Sequence, residues 1–132
     1  MRKPVVLVSA TVALLAALIA TVFAMRFGNL AATQTVEIHD VTKAQTLILK
    51  KRFFQDTIES MYVEGSGFID GKARIQRIID SPGGGPYDDD EISGKVHFQW
   101  GGDWYSDTAK IRYIPENVKS GYIKLTFSFN VL

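Results

Sequence analysis

The spacing of apolar positions changes along the chain, and each change marks an element. Val5–Ala24 reads VVLVSATVALLAALIATVFA, with polar atoms confined to the hydroxyls of Ser9, Thr11 and Thr21. At about 1.5 Å per residue such a helix reaches roughly 30 Å, the thickness of a bilayer's hydrocarbon core. Arg2 and Lys3 precede the run and Arg26 follows it, a bias that predicts a cytoplasmic N-terminus and an exported remainder. The run reads either as a retained anchor, which its length favours, or as a signal cut at the small-x-small site Val22-Phe23-Ala24. Residues 1–27 are then the anchor or uncleaved signal, 28–34 a small polar tether and 35–132 an exported domain. The expected location is the inner membrane, single-pass with the C-terminal domain in the periplasm, or secretion after cleavage near Ala24.

Past the tether the period becomes two. Val36 and Ile38 alternate with Glu37 and His39, which predicts a strand over Thr35–Asp40. Thr42–Ser60 admits two readings. Leu47, Ile48, Phe54, Ile58 and Met61 fit a helical stripe, but Lys51 interrupts it and Thr46–Leu49 is rich in strand formers. Two short strands with an irregular link over Phe53–Thr57 are favoured, and one helix at 42–61 in an α+β domain is the alternative.

Met61–Ile69 and Ala73–Ile79 flank Asp70-Gly71, a pair that predicts a hairpin turn. Gly65 and Gly67 in the first arm suggest a bulge or a close backbone approach. Ser81–Glu91, SPGGGPYDDDE, predicts a loop whose acids are solvated. Lys95–Trp100, Thr108–Ile114 and Tyr122–Val131 each alternate apolar and polar residues, as strands with one face on a core do. Gly101-Gly102-Asp103 predicts a hairpin between the first two, and Pro115–Gly121 a crossing to another sheet. The sum is a mainly β chain: an N-terminal transmembrane or signal helix, then a small antiparallel β-sandwich of immunoglobulin-like or jelly-roll outline.

Charge changes this picture by subtraction. The chain has 15 basic and 14 acidic residues, so no electrostatic reason to bind nucleic acid arises, and Lys50-Lys51-Arg52 reads as a solvated patch. Cysteine is absent, which removes thiol nucleophiles, thiolate metal sites and a lipidated cysteine. A small exported domain without disulfides suits a bacterial envelope.

The candidate chemistry lies in Gln99-Trp-Gly-Gly-Asp-Trp-Tyr105. Trp100, Trp104 and Tyr105 could present flat rings to sugar C–H faces, with Asp103 accepting hydroxyl hydrogens. The competing reading buries both tryptophans in the core, where large aromatic side chains dominate small domains. Asp88–Glu91 supplies oxygens of the kind Ca²⁺ takes, but without the twelve-residue loop pattern, so a solvated loop is favoured and no metal or cofactor is expected. His39 and His97 lack a third ligand. No nucleophile elbow, phosphate loop or zinc-helix motif is present. The expectation is a non-enzymatic, membrane-tethered interaction domain for a protein or envelope component. A secreted carbohydrate-binding module using Trp100, Asp103, Trp104 and Tyr105 is the alternative, and a small hydrolase with an unrecognised site the third reading.

Overall fold

The computed structural model describes residues 3–79 and 82–131, the side chains of 3–8 and 23–31 excepted. The basic flank at Arg2, Asp80 and the first residue of the expected loop, Ser81, lie outside the described residues. So do the side chains of Phe23 and Ala24 in the cleavage motif, and those of Arg26 and Phe27.

The chain divides into two units, 1–31 and 32–132. In the first, alanine and leucine, both strong helix formers, build α1 (Lys3–Ala32). Thr21 satisfies its hydroxyl by donating to the Ala17 carbonyl at 2.8 Å. Among the described residues, no helix is long and apolar enough to cross a membrane. Single-pass anchoring in the inner membrane, with a periplasmic domain and the membrane as partner through Val5–Ala24, is corrected on that finding.

The second unit is antiparallel β. Its strands are β1 (Thr33–Glu37), β2 (Gln45–Lys50), β3 (Ser60–Ile78), β4 (Pro86–Trp100), β5 (Thr108–Glu116) and β6 (Gly121–Asn130). The order is β1-β6-β3-β5-β2, with β4 also paired to β3. The mainly β expectation therefore stands, and the alternative helix at 42–61 does not form. Gln45–Lys50 is a strand, and the chain beyond it is irregular as far as Glu59. Lys51 explains why: placed in a helical stripe it would face the core, whereas here it pairs with Asp107 at 3.2 Å. Gln55 holds the irregular link by donating its amide to the Phe129 carbonyl.

β3 organises the sheet. Its first arm, Ser60–Ile69, pairs with β6. Its second arm, from Lys72 to Ile78, pairs with β5, and β4 runs beside both. Asp70-Gly71 is thus not a hairpin turn. These two residues are the extra ones between the pairs Ile69–Gly94 and Lys72–Ser93. The Asp70 N–H donates to the Ser120 carbonyl at 2.9 Å, and its own carbonyl accepts from the Lys119 N–H at 3.0 Å. Gly71 has φ 131°, and a Cβ there would lie 2.3 Å from the Asn117 carbonyl oxygen. Glycine is needed because the β5–β6 connection presses against this kink, not because the chain reverses. That connection carries the chain from one arm of β3 to the other, since β5 and β6 take successive lengths of the same strand.

The kink curls the sheet into a half-barrel around one core. Val63 and Ile69 of the first arm, Ile75 of the second, Ile111 and Tyr113 of β5, and Ile123, Leu125 and Phe129 of β6 are all fully enclosed. Two further expectations change. Gly101-Gly102-Asp103 makes no β4–β5 hairpin, because β5 pairs with β3 and β2. Instead the Gly102 carbonyl accepts from the Met61 N–H at 3.1 Å, and the Trp104 N–H donates to the Glu59 carbonyl at 3.0 Å. The expected acidic loop is also shorter: Pro86–Glu91 is the first part of β4.

Candidate functional site

The acidic run becomes a strand because β3 offers it cations. Arg74 and Arg77 stand opposite Glu91 and Asp88 in the register. Alternation then divides the four acids between two faces. Outward, Asp89 meets Arg74 at 2.9 Å and Glu91 meets Lys72 at 3.9 Å. Inward, Asp88 and Asp90 serve buried partners. Both Nε and Nη2 of Arg77 reach Oδ2 of Asp88 at 2.6 Å, and Asp90 accepts from the Trp100 indole N–H at 2.7 Å. Split between two faces, four adjacent carboxylates cannot converge on one cation. Among the described residues no group of three histidine or acidic side chains is placed to hold a metal ion.

Arg77 is the least expected member of this end of the sheet. Its side chain is fully buried. Besides Asp88 it donates from Nη2 to the Gly101 carbonyl at 3.3 Å, so it ties the second arm to the far end of β4. Its guanidinium lies 5.0 Å from the ring centre of Tyr87 and 4.9 Å from that of Trp104, a double cation–π contact. Tyr87 meets Trp104 edge-on, with ring centres 5.8 Å apart. Nη1 has no hydrogen-bond partner among the described residues.

Above these rings opens a cleft of about 310 Å³, lined by Ile79, Tyr87, Asp103, Trp104, Tyr105 and Ser106. Of the four residues singled out in the sequence, the fold brings Asp103, Trp104 and Tyr105 together here and sends Trp100 inward. Trp100 is 6% exposed and packs on Phe98 at 4.5 Å between ring centres. Trp104 is 4% exposed and donates its indole N–H to the Thr108 carbonyl at 3.0 Å. Neither tryptophan is a flat open platform. The rings that face solvent are Tyr105, 78% exposed, and Tyr87, 47% exposed.

Tyr87, Ile79, Ser106 and Arg77 were not singled out in the sequence. Tyr87 was hidden within the expected loop. A signal for Arg77 did exist: it continues the inward series Ala73, Ile75, and a cation in such a series demands a buried acceptor. Asp88 and Asp90, two apart, were the available ones.

The shifted titrating groups belong elsewhere. Burial first, and the charge of Asp40 second, push the Tyr113 hydroxyl up to about 12, and that hydroxyl donates to the Val41 carbonyl at 2.7 Å. Asp40 is held below the usual carboxylate range by the hydroxyl of Thr42 and then by its N–H. A second cleft, of about 420 Å³, lies between β1 and β2 and is lined by Gln34, Val36, Ile48, Lys50 and Phe53 among others.

No family model matches this chain, and no curated protein does. Distant likenesses exist among solved structures. One, described as "CBM4 structure and function", aligns with a TM-score of 0.43 and 8% identity over 66% of this chain, which spans 61% of that one. A second, "Crystal structure of PirA", aligns at 0.41 with 9% identity over 75% of this chain and 94% of that one. A third, "Carbohydrate-Binding Module CBM36 in complex with calcium and xylotriose", aligns at 0.36 with 11% identity over 74% and 87%. With TM-scores this low, none of them carries an argument about the present chain.

Proposed function

We propose that the β unit is a non-catalytic binding module and that it holds a sugar chain in the Tyr87–Tyr105 cleft. The observation that supports this reading is the exposure of those two rings beside Asp103 and Ser106 in one cleft. A pyranose ring offers a flat face of C–H groups that stacks on an aromatic ring. Its equatorial hydroxyls then meet carboxylate and hydroxyl oxygens at the ring's edge. The volume suits a ligand of small-molecule size, and Arg77 fixes Tyr87 and Trp104 from behind, so the walls are set before the ligand arrives.

Native gel electrophoresis in gels cast with neutral soluble polysaccharides tests the reading. Retardation is expected in at least one gel, and Tyr105→Ala, which removes an almost fully exposed side chain, should abolish it without moving the thermal midpoint. Absence of retardation in cellulose-, xylan-, mannan- and chitin-type gels alike would refute it.

A protein partner is the second reading, and a separate region favours it. Phe53 is 96% exposed, and Ile48 and Phe54 at least half exposed, beside Lys50 and the β1–β2 cleft. An exposed apolar group of this kind marks a contact surface more often than an isolated leucine does.

A further inference from the structure

We infer that the open edge of β2 takes an added β-strand from a partner protein, an extended segment in which aliphatic and acidic residues alternate. This rests on the protein-partner reading of the β1–β2 region and gives that partner its form and charge. β1 and β2 end the strand order, and β4 pairs with β3 alone. Each of the three has one neighbour among the described strands. A second edge is therefore left on each, with backbone N–H and C=O groups that a further strand can pair with.

Two of the three edges are guarded. β1 is only five residues long, mostly polar, and ends in Glu37. β4 carries Pro86, the run Asp88–Glu91 and Lys95, and Gly94 breaks its extended backbone with φ 60°. Charge, proline and irregular backbone are what keep an edge from pairing with another chain. β2 reads QTLILK, without proline, and its one charge stands at the end. Its register against β5 runs unbroken from Gln45–Tyr113 to Lys50–Thr108. Ile48 on its outer face is 56% exposed, and Leu47 on its inner face is half-buried against the core. β2 is the unguarded edge.

Charge and burial decide what kind of strand it takes. Side chains alternate, so the outer face of the β2–β5 pair presents Thr46, Ile48 and Lys50 beside Arg112, Lys110 and Thr108. Neither β2 nor the paired length of β5, Thr108–Tyr113, holds an acidic residue. Three cations on that face attract carboxylates at the outward positions of an incoming strand. Its inward positions extend the apolar layer of Leu47 and Leu49. Backbone bonds then supply affinity, and alternate side chains supply specificity. At the end of β2 the Gln34 amide donates to the Lys50 carbonyl at 2.8 Å. β1 thus closes that last position itself, and the added strand runs along Gln45–Leu49.

Three short synthetic peptides test this on the full chain by titration calorimetry. One alternates valine with glutamate, one alternates valine with lysine, and the third is the glutamate peptide with its backbone nitrogens methylated. Methylation removes the strand's hydrogen-bond donors and leaves its side chains unchanged. The glutamate peptide should bind about tenfold more tightly than the lysine peptide, a gap that narrows as salt is raised. The methylated peptide should not bind. Hydrogen exchange of the Gln45–Leu49 amides should slow with the glutamate peptide, while that of the β1 amides stays unchanged. Equal affinity for the glutamate and methylated peptides would overturn strand addition and leave a protein partner held by side chains alone. Equal affinity for the glutamate and lysine peptides would overturn the acidic character of the segment. Glutamate-peptide binding without slower exchange at Gln45–Leu49 would overturn the assignment to β2. Binding of none would remove both the added strand and the protein-partner reading of this region.

Discussion

The two arms of β3 fill the same core with different chemistry. In the first, the inward positions are Met61, Val63, Gly65 and Ile69, set against Val96, Phe98 and Trp100 of β4 and the apolar face of β6. Gly65 is there because Phe98 fills its side-chain space: a Cβ would fall 2.0 Å from the ring. In the second arm the inward series is Ala73, Ile75 and Arg77, set against Asp90 and Asp88. The first arm is held by area removed from water, a non-directional force that tolerates repacking. The second is held by directional pairs that are costly when half of one is missing. The candidate site sits at the end of the second arm, where the rings are fixed by a cation and the backbone is tied across the kink. Apolar packing made the domain, and polar pairing shaped the part of it that can recognise something.

The largest expected effect strikes the apolar side of this comparison. Phe127 of β6 faces Val63 in the register and is buried. Phe127→Ala should cost about 3–5 kcal/mol in urea unfolding, a large share of a small domain's stability. Ser128→Ala beside it should stay within about 0.5 kcal/mol. Similar small losses at both positions would show that β6 does not hold its inner face as described.

Next comes the Arg77–Asp88 pair, where the outcome should depend on whether one partner is removed or both. Asp88→Ala strands a buried guanidinium and should cost about 3 kcal/mol or more. The double variant Arg77→Met with Asp88→Leu should recover most of that loss, since an apolar pair of similar volume replaces the charged one. If the double variant were as unstable as Asp88→Ala, the second arm would depend on something other than this pairing, and the contrast between the arms would fail.

The smallest effect concerns β5, which joins the second arm through the Ile75–Tyr113 pair. The Tyr113 hydroxyl is raised from 10.0 to about 12 in the folded chain. A raised folded value means that the neutral form is favoured by folding. Its contribution is complete below pH 10 and is lost as the pH climbs from about 10 towards 12. Urea midpoints of the wild type should therefore fall over that window more steeply than those of Tyr113→Phe. Parallel curves would show that this hydroxyl ionises as freely folded as unfolded.

Period-two alternation was enough to read Lys95–Trp100, Thr108–Ile114 and most of Tyr122–Val131 as strands, and to place their buried residues. It succeeded because which face of a strand meets the core is a local property of the backbone. Asp103, Trp104 and Tyr105 were legible as candidates because glycines and aromatic residues at a strand's end are conspicuous.

Tertiary structure decided the rest. Asp70-Gly71 has the letters of a turn, and whether it reverses the chain or bulges within a strand depends on what packs against it, here Lys119 and Ser120. Asp88–Glu91 has the composition of a loop and became a strand because Arg74 and Arg77 stand across from it, a pairing of residues more than ten positions apart. The cleft is the extreme case. It draws on Ile79, Tyr87 and Asp103–Ser106 and is braced by Arg77, so it exists only once the kink has brought the two ends of the β3–β4 ribbon together. Local spacing carries the faces of strands, while charge complementarity and close approach between distant segments carry the site.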